Sequence, residues 1–122
     1  MLRARLFDDF KSARSLLVWG DISDVSALEQ NLLPMMAGDV KEAVLGCGGD
    51  ALTLRLSEQA DHSSVTADGG NLLWECSIDT LQKALDFVGP LLTMPGHQYI
   101  DTSGAAEQVI ISAGEYPQDF AR

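Results

Sequence analysis

The chain has 122 residues, 46% of them apolar and 21% charged, a composition that predicts one globular domain spanning 1–122 and excludes a disordered tail. Eighteen acidic residues against eight basic give a formal charge of −10, a field that repels phosphate backbones and argues against direct nucleic-acid binding. Apolar runs such as "LLVW" and "VII" are too short to span a bilayer, and no apolar stretch follows Met1 and Arg3, so the expectation is a cytoplasmic protein without a membrane segment.

"LRARLF" alternates Leu2, Ala4 and Leu6 with Arg3 and Arg5 and suits a first strand or a short helix. "RSLLVWG" is an apolar run stopped by Gly20 and reads as a buried strand. In "SDVSALEQNLLPMMAG", Val25, Leu28, Leu32 and Met35 recur at spacings of three and four, which predicts a helix with one apolar face. Ser23 or Ser26 is the expected cap, Ser26 with Glu29 fits a capping box, and Pro34 and Gly38 mark the end.

Strands follow at "KEAVLGC" and "ALTLRLS" around "GGD", then at "SSVTA" and "NLLWECS" around "DGG", where glycine supplies the positive φ of a tight hairpin. Asp79 is expected to open a second helix with Gln82 as capping-box partner, Leu81, Ala84, Leu85, Val88 and Leu92 as its stripe, and Gly89-Pro90 at a kink or end. "MPGHQYIDTSG" reads as a loop, with "HQYI" a candidate short strand, and "EQVIIS" as the last strand. No internal repeat is evident. The expected fold is α+β: a single antiparallel sheet of about four to six strands with two main helices packed on one face.

Chemical motifs are sparse. "GCGGD" leads into an alternating strand with no lysine nearby, so a hairpin turn fits it and a phosphate cradle does not. "DHSS" holds the residue types of a hydrolytic triad, but neighbours in extended chain point to opposite faces and cannot line up in series. Cys47 and Cys76 read as reduced, buried thiols; gathering them with His62 and His97 around a metal would need the fold, because no zinc-site spacing is present. Asp21, between a strand and a helix, stands where catalytic carboxylates often lie, but a residue there is more often part of the turn or a favourable charge at a helix start. No cofactor or metal is expected.

His97, Tyr99 and Asp101 alternate, so extended backbone would display them on one face. Rigid aromatic area beside adaptable polar groups suits an interface better than a reaction centre. "WGDISD", "GHQYID" and the closing "VIISAGEYP" resemble the small immunity proteins of bacterial polymorphic-toxin systems, including contact-dependent inhibition. The resemblance implies an acidic α+β protein that binds one cognate toxin domain and blocks it without catalysis; no catalytic residues carry over. A basic, nuclease-like or nucleotide-transfer toxin domain would be steered by the negative field of this chain. The expected contact residues are Asp61, Asp68, Tyr99, Asp101 and Glu115, which fall in predicted loops or strand ends. Two other classes remain open: a small enzyme with a carboxylate-lined pocket, and a structural or adaptor subunit.

Overall fold

The computed structural model describes residues 2–45, 51–59, 62–117 and 120. Strand β1 (Arg3–Phe10) turns into β2 (Ala13–Gly20) through Lys11-Ser12, both at positive φ (52° and 68°). The same two-residue turn recurs between β5 (Ser63–Asp68) and β6 (Asn71–Cys76), where Gly69 and Gly70 hold φ 55° and 87°. Left-handed values at both central positions match the twist of paired strands; glycine takes them without strain, whereas Lys11 and Ser12 do so at a cost.

Helix α1 (Ile22–Met36) starts directly after β2, leaving Asp21 as the first side chain able to cap it. Asp21 accepts from the Asp24 N–H at 2.9 Å, and Asp24 accepts from the Asp21 N–H at 3.0 Å. The cap is thus Asp21 and not Ser23 or Ser26, both of which lie inside the helix. Helix α2 (Ile78–Leu91) starts the same way, with Ser77 accepting from the Thr80 N–H at 3.2 Å, so Asp79 sits in the first turn and does not open the helix. The prolines, Pro34 and Pro90, lie in the last turn of each helix and do not end it.

Strands β3 (Glu42–Leu45) and β4 (Ala51–Leu56) follow α1; β7 (Gly96–Asp101), the short β8 (Ser103–Gly104) and β9 (Gln108–Ala113) follow α2. The predicted "MPGHQYIDTSG" loop therefore contains a six-residue strand.

The strands form two mixed sheets and not one antiparallel sheet: β1-β2-β9-β7, and β3-β4-β6-β5-β8. Neighbours in sequence pair antiparallel, but β2 lies parallel to β9 and β4 parallel to β6. The cause is the path of the chain. After each hairpin a helix carries the chain from one sheet to the other, where the next antiparallel pair settles beside the other half's hairpin.

The chain is also an internal duplication, which sequence reading does not reveal. Hairpin, helix, antiparallel pair occurs twice, and each half gives one strand pair to each sheet. Asp21 and Ser77, the two caps, lie 56 positions apart; so do Pro34 and Pro90, and so do the buried helix residues Val25/Leu81, Leu28/Ala84, Leu32/Val88 and Met35/Leu91. The correspondence extends to backbone bonds: Ser57 N–H donates to Cys76 O at 2.7 Å, and Gly114 N–H to Gly20 O at 2.8 Å. What is repeated is burial and capping, with few residue identities, so the pattern escapes a direct comparison of letters.

One core joins the inner faces of both sheets to the buried sides of both helices, with Trp74, Leu16, Leu52, Leu54, Leu81 and Ile111 at its centre. Each such side chain removed from water contributes about 1.5–3 kcal/mol. The outer face of the first sheet has its own cover: Leu17, Trp19 and Ile110 lie beneath Phe7, Phe10, Tyr116 and Phe120. Trp19 Nε1 donates to Pro117 O at 3.0 Å, fixing the segment after β9 over that face. On the second sheet the corresponding face carries Thr53, Arg55, Thr66 and Asp68 and is open to solvent, with Val44 67% exposed.

Candidate functional site

Strand β7 pairs antiparallel with β9, setting Tyr99 opposite Ile110 and His97 opposite Ser112 on the outer face of the first sheet. Ile100 points the other way, into the core, at 4% exposure. The alternation read from sequence therefore holds: His97, Tyr99 and Asp101 share one face. Tyr99 is 42% exposed and meets the His97 ring edge-on with centroids 5.2 Å apart.

Glu115 joins this face from the segment after β9. Its oxygens lie 2.8 and 2.9 Å from His97 Nδ1, and Ser112 Oγ donates to Oε1 at 2.7 Å. An ionised carboxylate only accepts, so Nδ1 carries the hydrogen. Partial burial pushes the Glu115 carboxyl upward, but the hydrogen bonds from Ser112 and His97 and the charges of His97 and Lys11 outweigh it and hold it below the usual glutamate range. Glu115, one of the contact residues expected from sequence, is thus held in an intramolecular contact.

Beside β7 runs a groove of about 360 Å³, walled by Thr80, Lys83 and Phe87 of α2, Ser63 of β5, and Tyr99, Ile100 and Asp101. The duplication builds a counterpart of about 290 Å³ between α1 and β3, lined by Asp24, Ala27, Asn31, Val44 and Leu45 with Leu2. Asp24, Ala27 and Asn31 occupy the α1 positions that Thr80, Lys83 and Phe87 occupy on α2. The α2 copy thereby gains an aromatic ring and a cation where the α1 copy has an amide and a methyl. Sequence reasoning missed Lys83 and Phe87; the signal was Phe87 standing beside the helix stripe and outside it.

The expected contact residues do not all converge. Tyr99, Asp101 and Glu115 belong to the face of β7. Asp68 stands at the end of β5 in the other sheet, and Asp61 lies outside the described residues. Exposed carboxylates are spread over strands, helices and loops, including Asp8, Asp39, Asp68, Asp79, Asp86 and Asp101. Among the described residues the exposed carboxylates do not gather on one face.

"DHSS" folds into an arrangement sequence did not suggest. His62 Nε2 lies 3.0 Å from Glu75 Oε1 and 3.0 Å from Ser64 Oγ. Both contacts use one ring nitrogen. A hydrogen on Nε2 serves the carboxylate, leaving that nitrogen no lone pair with which to take the Ser64 proton. Ser64 is therefore not activated as a nucleophile. Ser63, its neighbour, accepts from Trp74 Nε1 at 3.0 Å and donates to Thr102 Oγ1 at 2.9 Å, tying β5 to the chain after β7.

Asp21 is accounted for by its cap; the Ser23 hydroxyl (2.7 Å) and the Asp24 N–H lower its pKa. Among the described residues no cluster of three His, Cys, Asp or Glu side chains is arranged to hold a metal, and no buried side-chain nitrogen or oxygen lacks a hydrogen-bond partner. Cys76 is buried, and burial together with the charge of Glu75 pushes its thiol up to about 12, far from a reactive thiolate. Cys47, the other thiol of the imagined metal set, lies outside the described residues. No helix among the described residues is long and apolar enough to cross a membrane.

No protein-family model matches this chain, and no curated protein matches it in sequence.

Proposed function

We propose that this chain is a non-enzymatic immunity protein of the cytoplasm, which binds and neutralises a cognate bacterial toxin domain of basic, nuclease-like or nucleotide-transfer character. The observation that carries the reading is the β7 face, where Tyr99 and Asp101 stand exposed beside an open groove. A half-exposed tyrosine next to a carboxylate with no ion pair among the described residues gives a rigid anchor and a site for a cation. The net charge of −10 acts at longer range, steering a basic partner and raising its association rate. The β7 groove is open, and in the Ser64-His62-Glu75 cluster the imidazole is not placed to take the serine proton, which fits binding better than catalysis.

The test is protection. Cells expressing the toxic domain encoded beside this chain should survive when the chain is co-expressed, and Tyr99→Ala combined with Asp101→Lys should abolish survival while the protein stays folded. If the intact chain gives no protection, the reading fails. If the double variant protects as well as the intact chain, the β7 face is not where the toxin binds.

A further inference from the structure

The strands at or next to the edges of the two sheets differ in how those edges are treated. Exposed edges are normally blunted by bulges, charge, shortness or cover, because unpaired backbone groups recruit other strands. β1 carries Arg3 and Arg5, and its register breaks between Phe7 and Phe10. β3 has four residues and opens on Glu42. β5 is covered at Ser64 and Val65 by β8, which pairs with it in parallel. β7 has no bulge and no strand cover among the described residues, and its acidic side chain, Asp101, stands at its last position. It runs six residues in unbroken register against β9, contains no proline or lysine, and has no strand on its other side among the described residues.

The phase of its hydrogen bonding shows which groups are free. Thr102 N–H donates to Glu107 O at 3.1 Å, continuing the ladder in the same antiparallel register. Bonded and non-bonded pairs alternate in such a ladder, so Ile100, Gln98 and Gly96 turn their backbones toward β9. His97, Tyr99 and Asp101 then turn theirs away, presenting three N–H donors and three C=O acceptors along the edge. The residues whose side chains decorate the outer face are the same ones whose backbones are unpaired.

We propose that the partner adds an extended segment to this edge as a further strand of the first sheet. A new strand would lie about 4.8 Å from β7, along the open groove. Its alternate side chains would enter the groove beside Phe87 and Ile100 and stand on the outer face beside Tyr99. Asp101, with no ion pair among the described residues, and the overall charge of −10 select a segment that alternates apolar and basic residues. This rests on the partner-binding reading for its biological meaning, but the geometry stands apart from the identity of the toxin.

The probe is a capped eight-residue peptide alternating valine and lysine, titrated into the ¹⁵N-labelled full chain. Saturable shifts and slowed amide exchange should appear at His97, Tyr99 and Asp101. The same peptide N-methylated on the edge that faces β7 should show no binding. Tyr99→Pro removes an outward N–H without touching the β9 ladder, so it should weaken the peptide roughly tenfold more than Tyr99→Ala does. No saturation at millimolar peptide, shifts confined to other residues, equal binding of the N-methylated peptide, or equal effects of the two Tyr99 variants would overturn the proposal. So would a dimer in peptide-free solution with protection at these amides, which would assign the edge to a second copy of the chain. A toxin domain that binds without protecting these amides refutes strand addition and leaves the immunity reading standing; peptide addition without protection of cells refutes only the latter.

Discussion

Glu115 closes on His97 with both carboxylate oxygens, 2.8 and 2.9 Å from Nδ1, while Ser112 donates to the same carboxylate. This contact anchors the start of the segment whose Tyr116 and Phe120 cover the outer face of the first sheet. Glu115→Gln should lower stability at neutral pH by about 1 kcal/mol, the usual worth of one such hydrogen bond. The folded carboxyl is held below its unfolded value, so its stabilisation is complete above the unfolded pKa and is lost as pH falls through the folded one. Denaturation curves of wild type and variant should therefore differ at pH 7 and converge only as pH falls below the ordinary glutamate range, through the depressed folded value. A constant gap down to acid would refute the assignment.

The caps of the two helices differ in their response to pH. Ser77→Ala removes a buried cap and should cost about 1 kcal/mol at any pH. Asp21 caps α1 with a carboxyl whose pKa is lowered, so its contribution is present above the ordinary aspartate range and fades as pH falls through the depressed value. Asp21→Asn should keep the cap and remove that dependence. Thermal melts of both variants between neutral and acid pH would separate the two behaviours.

The hairpin β1–β2 carries strain that β5–β6 avoids. Lys11 and Ser12 take left-handed φ with ordinary side chains, where Gly69 and Gly70 serve the other turn. Ser12→Gly should raise stability by about 0.5–1 kcal/mol, despite the added freedom glycine gives the unfolded chain. An unchanged or lower denaturation midpoint would contradict that backbone geometry.

Helix α2 buries Leu91 and leaves Leu92 half-buried at its C-cap. Leu91→Ala should cost about 2–4 kcal/mol and Leu92→Ala distinctly less. Equal losses would place the end of the helix in a different register.

At Gly104, φ is +86° and an added Cβ would collide with the backbone oxygen of Val65. Backbone cannot yield as a flexible side chain does, so Gly104→Ala should separate β8 from β5 and cost more than about 1 kcal/mol. Amide exchange at Ala105, whose N–H donates to Val65 O at 2.8 Å, would report the separation directly.

Much of this fold follows from local signals, and the local signals settled what local physics controls. Alternation assigned the two faces of β4, β6 and β7; the spacing of Val25, Leu28, Leu32 and Met35 assigned α1; "DGG" assigned the β5–β6 turn. His97, Tyr99 and Asp101 were placed on one face by period alone, and the structure keeps them there. Tertiary structure decided the rest. A period of two says which way a side chain points, not which strand lies alongside, so the split into two sheets, the parallel β2/β9 and β4/β6 pairs and the free edge of β7 were beyond reach. The caps moved to Asp21 and Ser77 because strands run directly into helices there, which depends on where each strand ends. Contacts such as Glu115 with His97 and His62 with Glu75 join residues well separated in sequence, and only the packing of strands brings them within bonding distance.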